Sequence, residues 1–124
     1  MQEREPRPLT NRESNWIIEI LQANDDWKAC DISRTRVFAE RPCDEGISIL
    51  LRAPEPENSK TGLLTGYLGR ILIFTDDDCM LEVQLTQFGG RLNELYVLFS
   101  DPKHPERRLP DSWKEVSHEV LGES

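Results

Sequence analysis

The apolar residues of this chain begin at helical spacing and then turn to the alternation of strands. Trp16, Ile17, Ile20 and Leu21 recur at i, i+1, i+4 and i+5, which places them on one stripe of a helix. Ahead of that stripe, Thr10-Asn11-Arg12-Glu13 reads as a capping box, with side chain and backbone serving each other at both ends. Asn24-Asp25-Asp26 stops the pattern, so the spacing predicts a helix over 11–23. From Trp27 to Glu40 the β-branched Ile32, Thr35 and Val37 beside Phe38 predict one bent strand or two short ones. Arg41 to Gly46 breaks the run, and Ile47 to Ala53 forms a compact apolar strand. Residues 54–62 hold two prolines, opposed charges and no apolar side chain before Gly62, and predict an exposed, mobile loop.

The second half alternates most clearly. Tyr67 to Phe74 reads as a strand, Asp76-Asp77-Asp78 as its turn, and Met80 to Phe88 as a strand with one wet face. Gly89-Gly90 is a favoured hairpin dipeptide, and Leu92 to Phe99 supplies the next strand. Three strands on two short turns make an antiparallel meander. After the irregular, basic stretch Lys103 to Arg108, Asp111 reads as the N-cap of a short final helix carrying Trp113, Val116 and Val120 on one face. The expected fold is α+β: an antiparallel sheet packed by the N-terminal helix, with a short C-terminal helix. Residues 9–121 form one domain, and residues 1–8, rich in Glu, Arg and Pro, precede it as an extended, mobile segment.

Composition narrows the function classes. The 124 residues carry 15 Lys and Arg against 23 Asp and Glu, a net charge of −8. Phosphate affinity rests on clustered basic residues, so a nucleic-acid partner is not expected. The longest apolar runs, Ile47 to Leu51 and Leu92 to Phe99, are far shorter than the ~20 residues of a membrane helix. The opening residues lack the apolar core of a secretory signal. Cys30, Cys43 and Cys79 are odd in number and form no Cys-x-x-Cys pair, as expected of reduced thiols in a cytoplasmic protein.

No catalytic or cofactor motif emerges. Asp76, Asp77 and Asp78 lack the alternate spacing and central glycine of a calcium loop, and serve as a turn for local reasons. His104 and His118 have no ligand partners at zinc spacing and read as surface histidines. Gly62, Gly66 and Gly69 lack the Gly-Lys-Ser/Thr of a phosphate loop and read as a bulge or bend. Neither a metal nor a cofactor is expected. Trp16 and Trp113 read as core.

The uneven charge is the most useful functional hint. Acidic residues gather in the predicted loops and turns, where they would speed association with a basic partner. The expected partner-binding residues are therefore Asp76, Asp77 and Asp78 for steering and an exposed Trp27 as anchor. A rival is a small enzyme or ligand-binding domain with a pocket between helix and sheet, using carboxylates and a histidine. A homodimer through an unpaired strand of the meander is a third.

The order of residues resembles a known family. Arg7-Pro8-Leu9-Thr10-x-x-Glu13 before an apolar helix carries part of the resemblance. Gly69 to Asp78 followed by Leu81 to Leu85, then Leu92 to Val97 and Arg108-Leu109-Pro110, carry the rest. Together they look like an uncharacterised bacterial family of small α+β domains, some encoded beside polymorphic toxins and regarded as immunity proteins. Arg41 to Gly46 stands where that family has a glycine-rich acidic segment. The resemblance implies a non-enzymatic protein that occludes a toxin, and it carries over no functional residue.

Overall fold

The computed structural model describes residues 3–59 and 65–122. Its elements run β1 (Glu3–Pro8), α1 (Asn11–Gln22), β2 (Arg36–Cys43), β3 (Gly46–Arg52), β4 (Thr65–Thr75), β5 (Met80–Phe88), β6 (Arg91–Ser100) and β7 (Glu115–Gly122). The expected meander is β4-β5-β6. Gly89 and Gly90 make its second turn with φ of 58° and 83°, a left-handed pair suited to a two-residue hairpin. β6 then pairs with β3, which joins the β2–β3 hairpin to the meander. The result is one antiparallel sheet of order β1-β2-β3-β6-β5-β4-β7.

Register explains which face became the core. Val120, Ile71, Val83, Val97 and Ile47 stand opposite one another in a row across five strands. His118, Ile73, Leu81 and Phe99 form a second row on the same face. α1 lies across β4, β5 and β7 and buries Ile17, Ile20 and Leu21 against this face. Each such aliphatic side chain contributes about 1.5–3 kcal/mol when buried. The opposite face carries the polar set of the alternation, with Glu82, Gln84 and Thr86 half-buried. At Gly69 the β4–β5 register shifts, and φ there is 151°. A Cβ at this position would meet the Leu121 carbonyl oxygen at 2.8 Å, so the bulge and the close approach of β7 both need glycine.

Several expectations need correcting. The final helix does not form; Glu115–Gly122 is β7 instead. His118 and Val120 also fit the period of a strand, and the outer edge of β4 offers Ser117 to Gly122 a ladder of backbone partners from Phe74 to Gly69, with Val116 at a register shift. Trp27 is not exposed. It is 1% accessible within the core, because residues 24–30 form turns, held by bonds such as Lys28 N to Asn24 O, that fold the indole inward. Strand pairing after Trp27 begins only at Arg36. Residues 3–8 are extended as expected, but they belong to the sheet rather than precede the domain as a mobile segment, pairing with β2 as an edge strand. The described part of the 54–62 loop is anchored: Glu57 accepts from the Thr35 hydroxyl at 2.6 Å and the Leu92 amide at 3.1 Å. Asn58 is buried, and its amide donates to the Asp26 carbonyl at 2.9 Å. Residues 60–62 lie outside the described residues. No described helix is long and apolar enough to cross a membrane.

Candidate functional site

The N-terminal cap fixes where α1 begins and how it sits. Thr10 accepts from the Glu13 amide at 3.1 Å, and the Glu13 carboxylate accepts from the Thr10 amide at 2.9 Å. The same carboxylate is gripped at both oxygens by Arg7, each at 2.9 Å. Burial pushes the Glu13 carboxyl up, but these Arg7 and Thr10 bonds outweigh it and hold the group below its ordinary value. With the cap fixed, two stripes of α1 take different roles. Ile17, Ile20 and Leu21 face the sheet, while Arg12, Asn15, Trp16 and Glu19, at i, i+3, i+4 and i+7, form the wall of a groove.

The groove runs between α1 and β7 and encloses about 450 Å³. Ile71 and Ile73 of β4 make its floor, and Trp113, Glu115 and His118 its second wall. Trp16 and Trp113 lie nearly parallel, at 7°, with ring centres 6.5 Å apart. Both pack against the core and remain half-buried. The Arg12 guanidinium rests over Trp113, 4.3 Å from the ring centre.

The other end of the groove is acidic. His118 Nε2 lies 3.3 Å from Glu19, and Nδ1 lies 3.2 Å from Glu115. Each contact is an ion pair only when the imidazole is protonated. Strand β7 creates this arrangement. Placing His118 beside Ile73 turns it toward α1, where a helical residue would have faced water. Glu19 and Glu115 keep 40% and 45% of their side-chain surface exposed, so a ligand in the groove can reach them. Among the described residues no group of three or more His, Cys, Asp or Glu is arranged to hold a metal ion.

The residues expected from sequence lie elsewhere. Trp27 is in the core. Asp76, Asp77 and Asp78 form the β4–β5 turn, with Asp78 at φ 63°. All three are exposed, but the chain's own basic segment approaches them. Arg107 donates to Asp77 at 2.9 Å, and Lys103 Nζ lies 3.5 Å from Asp78. The Thr75 hydroxyl and Arg107 together hold the Asp77 carboxyl far below the usual carboxylate range. His104 is the surface histidine that was expected. No family model, no curated protein and no solved structure matches the chain.

Sequence reasoning missed Arg12, Glu19 and Glu115, and read His118 as a surface histidine, which it is, without its two carboxylate neighbours. The stripe 12-15-16-19, polar apart from Trp16, was readable as a second face of α1. The contribution of β7 was hidden by the helical reading of its residues.

Proposed function

We propose that this chain is a protein-binding domain that holds a basic partner, in the immunity-like manner its resemblance implies, and that the α1–β7 groove is the contact surface. The groove itself carries the reading. It joins two half-buried indoles to two reachable carboxylates, against the single guanidinium of Arg12. Trp and its neighbours supply lifetime at interfaces, and carboxylates select a cationic partner. Arg12 stacked on Trp113 is an internal example of a guanidinium on this platform. Trp16 and Trp113 take the anchoring role that sequence reasoning gave to Trp27, and Asp76 and Asp78 add steering from the turn.

The test is capture of a partner on the immobilised chain, followed by binding kinetics with groove variants. Trp113→Ala, checked for retained fold by circular dichroism, should shorten the lifetime of the complex about tenfold. Glu19→Lys with Glu115→Lys should slow association, and the deficit should shrink as salt rises. A captured partner that ignores both sets of changes would remove the groove from the interface.

One observation favours a second reading. His118 between Glu19 and Glu115, beside a groove with an apolar floor, is also the arrangement of a small-molecule site with acid–base chemistry. Turnover of a small molecule that His118→Gln abolishes, with no protein captured, would establish that reading in place of the first.

A further inference from the structure

The sheet ends in two free edges that are built differently. β1 is blunted: Pro6 and Pro8 have no N–H to offer, and the pairing with β2 shifts register between Glu3 and Arg7. β7 lacks the prolines, and its register shift against β4 is confined to its start, between Glu115 and Ser117. Residues Glu115–Gly122 contain no proline, lysine or arginine, and pairing with β4 is regular from Ser117 to Gly122. Among the described residues nothing pairs with the outer side of β7. Val116, at 66% exposure, is also the most exposed of the large apolar side chains described.

We propose that the outer edge of β7 accepts an extended, basic segment of a partner protein as an added strand. The inference rests on the reading of the chain as a binder of a basic protein, and names how the partner is held. Charge decides the occupant. Glu115 and Glu119 lie on β7, and Glu19 faces it from α1. A second copy would set four β7 carboxylates side by side with only two imidazoles among them, and like charges across a strand pair are destabilising. A segment with basic residues at alternate positions meets the opposite situation. Side chains on one of its faces reach Glu19, Glu115 and His118 at the groove, and those on the other lie beside Glu119. Backbone pairing supplies affinity, and the carboxylates supply selection.

The experiment uses the isotopically labelled full chain and a short synthetic peptide in which lysine and valine alternate. Two further peptides are N-methylated on alternate amides, one set on each edge of the extended peptide. Strand addition predicts amide shifts centred on 115–122, and a loss of about tenfold or more in affinity for one methylated set, with the other within about twofold of the parent. Glu119→Lys should weaken the parent peptide as well. Equal binding of both methylated peptides would overturn strand addition and leave the basic partner standing. Shifts centred on β1, or concentration-dependent shifts of β7 without peptide, would also overturn it. No binding by any of the peptides at about millimolar concentration would overturn both readings.

Discussion

Arg107 reaches back to Asp77 at 2.9 Å and, through the same nitrogen, to Asp101 at 3.3 Å. This links the start of the 101–114 segment to the β4–β5 turn. Asp101 is buried and also accepts the Lys103 and His104 amides, at 3.0 and 3.1 Å, so the segment folds around one carboxylate. The segment in turn delivers Trp113 to the groove. Its order therefore bears on the site as well as on stability.

Arg107→Ala is expected to destabilise the chain modestly, since the exposed pair with Asp77 contributes little while the buried Asp101 loses one of its partners. Urea titration of Arg107→Ala, Asp77→Asn and the double variant measures it. A coupling between the two substitutions near zero would show that the Asp77 contact contributes nothing to stability.

Acid should destabilise the chain through its tied carboxylates. The folded Glu13 carboxyl lies below its unfolded value, because the Arg7 and Thr10 bonds outweigh burial. Its contribution is present above the unfolded value of about 4.3 and is lost as pH falls through the folded value. Asp101 acts in the same direction, with burial opposed by the Lys103 and His104 amides and Arg107. Denaturant midpoints should hold near neutrality and fall below about pH 4.5. The gap between wild type and Glu13→Gln should close over the same range. A gap that stayed constant to low pH would contradict this assignment.

The helix and the meander were legible because each is decided locally. Thr10 and Glu13 close the cap within one turn of chain. The alternation Leu81, Val83, Leu85 admits only one buried face. β7 was misread because Trp113, Val116 and Val120 also suit a helix, and only the free edge of β4 decides between the two. Trp27 was misread for a related reason. Polar neighbours such as Asp25, Asp26 and Lys28 suggest a surface, whereas the turns around it fold the ring into the core. Asn58 and Glu57 show the same limit: a segment with no apolar side chain can still be anchored by long-range hydrogen bonds. The groove needed three elements at once, and only its α1 wall was written in one stretch of sequence.

Cys79 should be the slowest thiol of the three. It is 2% accessible, and burial, with the nearby Asp77 and Asp101, pushes it up to about 11. Thiolate is the reactive form, so at neutral pH little of it is present. Cys30 and Cys43 are half-buried. Timed labelling with a thiol reagent followed by mass spectrometry of the peptides should find Cys79 modified last, and only under conditions that unfold the chain. Early modification at Cys79 in the native state would mean that the turn at residues 75–79 opens readily.

The acidic turn and the acidic groove should differ in how they act on a basic partner. Asp76 and Asp78 are exposed and lie on a turn, so reversing both to lysine removes long-range attraction with little effect on contacts already formed. Association should slow by about two- to fivefold at low salt, with dissociation nearly constant, because outlying charges act on encounter. Asp77 is left out of that variant, since reversing it would break its bond to Arg107 and disturb the segment that carries Trp113, whereas Asp78 meets only the largely exposed Lys103, at 3.5 Å. Glu19 and Glu115 flank His118 at the end of the groove, so reversing them should slow association and also shorten the lifetime of the complex. Raising salt should erase the turn effect first, because exposed charges are screened over about 8–10 Å near physiological ionic strength. The lifetime effect in the groove should persist. Kinetics at low and high salt on both double variants separate the two roles. Equal and fully salt-sensitive effects at both places would assign the groove carboxylates to steering alone, and leave Trp16 and Trp113 as the residues that hold the partner.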